Sequence, residues 1–276
     1  MSKDYSAYKN ILVEVDEDGV ATVTLNRPEV LNAQNYEART ELHSIWPDLG
    51  HDDDVKAIIF TGAGRGFCAG GDFKEVNERH AKGMETVPEY EGGQPIYPSQ
   101  SGIYYIELML TLDKPIIGAI NGVATGMGCV MAMACDIVIA ADVALFGDAH
   151  IKVGIVPGDG GSSLYPLLVG HHKAMELLIT GDLIDAQEAC RIGFVNKVVP
   201  FKDLMPTVKE LAKRLAHGPT IAIGLTKRAV NKRVMHNWNL TQDFAINAEM
   251  RTTWTEDHKE GARAFAEKRD PEFKGR

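Results

Sequence analysis

Apolar positions along the chain fall first at strand spacing and later at helical spacing. Ile11–Val15 and Val20–Leu25 are short β-rich runs separated by Asp16, Glu17, Asp18 and Gly19, which predicts a hairpin. Arg27-Pro28 closes the second run. Ala38–Leu49 carries apolar residues near helical spacing and ends in Gly50 and the acidic turn Asp52–Asp54. Val55–Thr61 is then almost continuously apolar, the pattern of a strand buried on both faces. A glycine-rich turn follows, and Asp72–Glu78 reads as a helix start. Pro115–Ala119 and Asp136–Ala140 are two further strand-length apolar runs, with a small-residue helix predicted near Gly126–Cys135 between them. Phe146 to Gly161 reads as a long irregular connection.

From Ser162 onward the pattern is helical: Lys173–Thr180, Asp185–Ile192, Leu204–Ala216, stretches near Ile221–Val234 and Leu240–Trp254, and Glu256–Lys268. A short strand, Phe194–Val199, interrupts it. Residues 79–102 are rich in Gly, Pro, Glu and Tyr without periodicity, so a functional loop and a disordered insertion both stand open. Strands thus concentrate early and helices late. The expectation is one α/β core over residues 1–200, followed by a helical segment over 201–276.

A chain of 276 residues with 45% hydrophobic and 24% charged residues has ample material for a core without metals or disulfides. Its net charge of -9 argues against nucleic acid as a partner, since phosphate binding needs a positive field. A few local cations can still hold a nucleotide-bearing substrate. Cys68, Cys129, Cys135 and Cys190 show neither CxxC nor zinc spacing and read as buried thiols. The polar N-terminus lacks a hydrophobic signal region, and the longest apolar stretch, 122–141, is broken by glycines and Asp136. A cytoplasmic protein without a membrane partner is the expectation.

Common catalytic motifs are missing. Thr61–Gly66 follows a predicted strand but lacks the GxGxxG spacing, and Asp72 stands too close to serve as a ribose carboxylate. Gly158–Ser163 is glycine-rich without GK[ST]. There is no GxSxG elbow or HExxH motif, His171-His172 read as a solvated helix start, and no metal is implied. Two segments say more: Phe67-Cys68-Ala69-Gly70-Gly71-Asp72-Phe73-Lys74, and Ile120-Asn121-Gly122-Val123-Ala124-Thr125-Gly126-Met127-Gly128-Cys129. Each runs from a buried strand through small residues into a helix. The N–H groups at a helix start are unpaired, and two that converge can hold an oxyanion. Taken singly, each segment reads first as a tight turn packing a helix on a sheet.

With Asn26-Arg27-Pro28-Glu29-Val30-Leu31-Asn32-Ala33 before them, Pro157–Gly161 after them, and Glu260-Gly261 and Phe265-Ala266-Glu267-Lys268-Arg269 near the end, these segments resemble the enoyl-CoA hydratase/isomerase (crotonase) family. The resemblance runs from about Ile11 to the C-terminus. It implies an α/β fold, a crotonase-like ββα spiral with a helical C-terminal trimerisation segment. It also implies an acyl-CoA substrate, with coenzyme A as part of that substrate and no separate cofactor, and a homotrimer or a hexamer made as a dimer of trimers. By the same resemblance Gly71 and Met127 supply the oxyanion-hole N–H groups. The turn Glu29–Leu31, together with Ala69, Gly71, Asp72, Phe73, Lys74 and Met127, would line the substrate site. Phe265 and Lys268 would reach the CoA of a neighbouring subunit.

Members of such a family share the oxyanion hole and differ in their acid and base groups. The two glutamates of typical hydratases match Val130 and His150 here. Valine cannot ionise, whereas histidine titrates near neutrality. Asp159, nine residues beyond His150, is a carboxylate able to orient the imidazole. The run from His150 to Asp159 resembles 6-oxocamphor hydrolase, a crotonase homologue that cleaves a β-diketone with water through a His/Asp pair at these positions. A further oxyanion-binding histidine of that enzyme falls at Gly128. Asp148 is the rival partner of His150, or a second carboxylate in the pocket. A packed histidine and a turn aspartate are the plainer alternative. Arg39, Glu41 and His43 read as surface or supporting groups. The expected reaction is hydration of an enoyl-CoA by a His/Asp-activated water. Hydrolytic C–C cleavage of a β-ketoacyl-CoA or β-diketone is the alternative, and a non-catalytic acyl-CoA-binding homologue is the alternative of another class.

Overall fold

β1 (Ile11–Val15) and β2 (Val20–Leu25) pair antiparallel with Ile11 opposite Leu25, forming the expected hairpin. The computed structural model describes residues 3–72 and 98–276, with the backbone alone for 98–103. The helix start expected at Asp72–Glu78 and most of the segment 79–102 lie outside the described residues. At the far end of that segment a helix begins at Pro98, so the loop expected to reach Gly102 stops short of it.

The apolar runs become β3 (Ala57–Gly62), β5 (Ile116–Ile120) and β7 (Ile137–Ala141). With β10 (Lys197–Val199) they add to β2 in parallel, giving a six-stranded sheet of order β1-β2-β3-β5-β7-β10. Every residue of β3 and β5 is buried, because helices cover both faces of the sheet. Ile58 and Phe60 belong to the core on one face, with Leu42, Ile45, Trp46 and Leu49 of α1 (Tyr36–Gly50). Ala57 and Ile59, one residue out of phase, meet Leu204, Val208, Ala212 and Ala216 of a C-terminal helix on the other face.

A second sheet positions the site. β4 (Gly66–Cys68), β6 (Val123–Thr125) and β8 (Leu145–Gly147) pair in parallel, and the short β9 (Ile184–Asp185) closes the sheet antiparallel to β8. β3, β5 and β7 of the large sheet therefore each hand on to a strand of the small one. In the next two turns the chain then enters α3 (Met127–Ala134) after β6 and, through the loop carrying His150, α4 (Gly161–Val169) after β8. α2 (Pro98–Thr111) precedes β5. This repeated strand–strand–helix turn is the expected ββα spiral. The small-sheet strands are only three residues long, which is why hydrophobic periodicity did not separate them from the turns beside them.

α5 (His171–Thr180), α6 (Ala186–Arg191), α7 (Leu204–Ala216), α8 (Thr220–Thr252) and α9 (Glu256–Glu267) follow. The two stretches expected over 221–254 are one helix of 33 residues. Neither Gly nor Pro separates them, and Trp238 in the supposed gap is 1% exposed, packed on the core with Nε1 donating to Glu107 (2.7 Å). Among the described residues no helix is long and apolar enough to cross a membrane.

Lys227 fastens α8 to the large sheet. Its Nζ lies 2.7 Å from Asp136, which also accepts from the Ile116 N–H, and donates to the Lys114 carbonyl at 3.1 Å. Lys227→Met strips a largely buried carboxylate of its cation. It should lower the unfolding free energy by about 3 kcal/mol, read by urea titration. A loss under about 1 kcal/mol would mean that the pair is as weak as a solvated one.

Candidate active site

Three consecutive spiral turns deliver their post-strand loops to one place, because β4 pairs β6 and β6 pairs β8. In the first, Ala69-Gly70-Gly71-Asp72 runs beside Gln34 in a parallel bridge. The bridge uses the Gly70 carbonyl (2.8 Å from Gln34 N) and the Asp72 N–H (3.0 Å to Gln34 O). In this pairing the N–H of Gly71 turns away from Gln34. Gly70 holds φ +93, and a Cβ on it would lie 3.1 Å from the Thr125 carbonyl and 3.8 Å from the Met127 N, so only glycine lets the two loops abut. Ala69 N–H is tied to the Leu31 carbonyl (3.0 Å). Asp72 pairs with Arg27 at 3.0 Å.

In the second turn Gly126, at φ +52, precedes Met127, the first residue of α3. The Met127 N–H has no acceptor inside its helix and sits at the positive end of the helix dipole. The N–H groups of Gly71 and Met127 are thus both left for something other than their own secondary structure. Gly128 packs on Cys68: a Cβ there would lie 2.8 Å from both the Cys68 carbonyl carbon and its Cβ. No side chain fits at this position, so the histidine of the diketone hydrolase is excluded sterically.

In the third turn β8 leads into Asp148 and His150. Nδ1 of His150 is hydrogen-bonded to Asp148 Oδ1, and Asp148 also accepts the His150 N–H at 3.3 Å. The other ring nitrogen, Nε2, lies 3.6 Å from Asp159 Oδ2. The orienting contact is therefore made by Asp148 and not, as expected, by Asp159. The reason is local: two residues apart at a tight turn, the carboxylate reaches the near ring nitrogen and leaves Nε2 to face Asp159. The His150 side chain keeps 17% exposure while Asp148 has none, which leaves Nε2 as the nitrogen that can meet a substrate. A methyl group on Gly126 would lie 3.4 Å from His150 Cε1, 3.9 Å from Nε2 and 3.9 Å from Gly70 Cα. Imidazole and both N–H-bearing loops thus meet at Gly126. Asp148, His150 and Asp159 bring donor atoms within 4.8 Å of one another, with Nδ1 of His150 and Asp148 directed at each other.

Val130 is fully buried with Cγ1 against Gly160, so it fills the space behind the Asp159 turn. Phe265 and Lys268 lie at the end of α9, and Phe265 is 60% exposed. Phe73 and Lys74 lie outside the described residues.

Of two further neighbours, Arg39 reads from the sequence as a surface or supporting group and Glu249 escapes the sequence reading. Arg39 of α1 points at the first loop, its Nη2 3.2 Å from a Cβ placed on Gly71. Glu249, near the end of α8, packs against Gly158, where an added Cβ would lie 2.6 Å from Glu249 Cβ. A signal for Glu249 existed: Gln242, Ala245 and Ile246 form the buried face of α8, and Glu249 continues it at helical spacing.

Three carboxyl groups thus surround one imidazole. Asp148 Oδ2, Asp159 Oδ1 and Glu249 Oε2 are buried and make no hydrogen bond among the described residues. Burial lifts Asp159 to about 6, with Asp148 adding to the rise and His150 and Arg39 opposing it. Burial likewise lifts Glu249 to about 8, reinforced by Asp159 and Asp148. For His150, burial alone would lower the pKa, but the two aspartates together overcome it and hold the imidazole well above its usual value.

A family model described as enoyl-CoA hydratase/isomerase matches residues 16–276. The short-chain-enoyl-CoA hydratase of Clostridium acetobutylicum is 39% identical, over 97% of this chain and 98% of its own. The 1,2-epoxyphenylacetyl-CoA isomerase of Escherichia coli is 36% identical, over 94% and 97%. An enoyl-CoA hydratase/isomerase structure from Pseudoalteromonas atlantica superposes with a TM-score of 0.85 at 29% identity, covering 96% of this chain and all of that one. The chain belongs to the enoyl-CoA hydratase/isomerase family.

The buried carboxyls should show in stability. Below the ordinary glutamate value of 4.5 both folded and unfolded states hold the Glu249 proton. Above it the unfolded chain releases the proton while the folded protein keeps it, so stability falls with rising pH until Glu249 itself ionises near 8. The advantage of Glu249→Gln over wild type in chemical denaturation should therefore grow between about pH 5 and about pH 8 and then level off. A difference that does not change with pH would contradict a titrating buried carboxyl.

Proposed function

We propose that this enzyme hydrates a short-chain enoyl-CoA. The thioester oxygen is held by the N–H groups of Gly71 and Met127, and water is activated by His150 together with Asp148 and Asp159. The observation that carries the reading is the convergence at Gly126 of both N–H-bearing loops and the Nε2 edge of His150. It suits a reaction in which charge develops on a carbonyl oxygen while a proton leaves a nearby water. Relatives named short-chain-enoyl-CoA hydratase and, at 37% identity, crotonyl-CoA hydratase support this substrate class.

His150 and Asp159 work as a pair. With the imidazole raised and Asp159 near 6, the two hold one proton between them at neutral pH and have room for a second. A water lying between Nε2 and Asp159 gives up that second proton as its oxygen bonds to the acyl β-carbon. Asp148 fixes the ring through Nδ1. The electrons of the Cα=Cβ bond move onto the thioester oxygen, where two preorganised N–H dipoles receive them. Phe265 and Lys268, exposed at the end of α9, are the groups that would reach a neighbouring subunit's CoA in a homotrimer.

Val130 favours a second reading. With no carboxylate at that position, the same water could attack a β-keto carbonyl and expel the thioester enolate by C–C cleavage. Both routes share the oxyanion hole and the base.

Loss of the conjugated thioester absorbance of crotonyl-CoA tests the first reading, and release of a free carboxylic acid together with a shortened acyl-CoA from a β-ketoacyl-CoA tests the second. His150→Ala and Asp159→Asn should each lower kcat by about 100-fold or more with KM little changed. The kcat/KM of wild type should rise with pH through an apparent value of about 6. Full activity in either variant, or turnover of neither substrate class by wild type, would refute the assignment.

A further inference from the structure

Glu249 takes no part in the route above, yet the fold holds it beside the groups that do. α8 grips the loop 156–160 at three points. Thr252 Oγ1 accepts from Val156 N–H at 3.1 Å, the Gln242 amide donates to the Gly158 carbonyl, and the Trp238 ring lies 3.0 Å from a Cβ placed on Gly160. Glu249 sits within this grip, against Gly158, with Oε2 buried and unpartnered among the described residues. Gly158, on which it packs, adjoins Asp159, and the charged groups near enough to act on Glu249 are Asp159, His150, Asp148 and Arg39 of α1.

An ionised Glu249 would place a third negative charge beside two aspartates, with only His150 and Arg39 to oppose it. A neutral one carries an O–H, and buried donors in folded proteins are paired. Such a donor is built for an acceptor that the substrate brings.

We propose that Glu249 is the proton donor of the site, delivering its O–H proton to the α-carbon of the thioester enolate. This rests on the reading of His150 as part of the base. Water oxygen bonds to the β-carbon, its proton passes to the His150–Asp159 pair, and the Cα=Cβ electrons move to the thioester oxygen. The enolate electrons then form a new bond between Cα and the Glu249 proton, and the thioester carbonyl returns. The proton held by His150–Asp159 goes back to the Glu249 carboxylate. The sum is one water added across one double bond, with every residue as it began. In C–C cleavage the same donor would protonate the expelled enolate. Burial, aided by Asp159 and Asp148, holds the Glu249 carboxyl at about 8, so the donor is intact at neutral pH. The second acid–base group of the site thus arrives from the long C-terminal helix instead of from position 130.

Glu249→Gln keeps the shape and removes the proton. In wild type, kcat should fall as pH rises through about 8. The glutamine variant should lose about 100-fold or more in kcat near pH 7, keep KM for the enoyl-CoA within about threefold, and lack the alkaline limb. Retention of kcat within about threefold, or an unchanged alkaline limb, overturns the donor role; if the variant does not fold, a flat wild-type kcat between about pH 7 and pH 9.5 overturns it instead. His150→Ala, assayed in parallel, separates the two failures. If it is inactive while Glu249→Gln is active, only the donor assignment falls, whereas activity in both removes the base as well.

Discussion

The parallel pairing of three very short strands, β4, β6 and β8, is the constraint on which the site depends. Each is followed by a loop bearing chemistry, and the pairing makes those loops neighbours although they lie up to 80 residues apart. A strand spacing of about 5 Å sets the distance between the Gly71 and Met127 loops, and glycines at 70 and 126 close what remains. The large sheet, with β3 and β5 fully buried, supplies the rigidity that holds so small a sheet in register.

On that frame the chain gathers acidic groups that oppose its own stability. Asp148, Asp159 and Glu249 crowd one imidazole in a largely buried space, and each retains an oxygen without a hydrogen bond among the described residues. Burial of unpaired polar atoms costs free energy, and two of these carboxyls titrate far above their ordinary values as a result. The same burial gives groups that exchange protons near neutral pH, the property an acid–base site requires. Asp148 is the member the local fold provides for: Oδ1 is bonded to His150, and Oδ2 lies at Gly161, in the positive first turn of α4.

Much of this was legible in the sequence. The hairpin, the buried strands and the helix after Gly126 follow from periodicity and small-residue runs, and the family follows from ordered motifs. What periodicity could not show was the small sheet, whose strands are shorter than any readable period, and the continuity of α8 through Trp238. Asp148 and Asp159 were both visible as partners for His150. Their division between Nδ1 and Nε2 depends on the turn geometry at 148–150 and so appears only in three dimensions. Glu249 stands 90 residues beyond Asp159, and its buried stripe on α8 reads as ordinary core until the helix is laid across the loop 156–160.

A crystal structure with a non-reactive acyl-CoA analogue tests most directly whether the three loops form one reaction site. The account predicts the thioester oxygen about 3 Å from both Gly71 N and Met127 N. It further predicts a water touching His150 Nε2 and Asp159 on one side of the acyl β-carbon, with the Glu249 carboxyl near the α-carbon. A thioester bound away from those two N–H groups, or a β-carbon out of reach of His150 through one water, would contradict it.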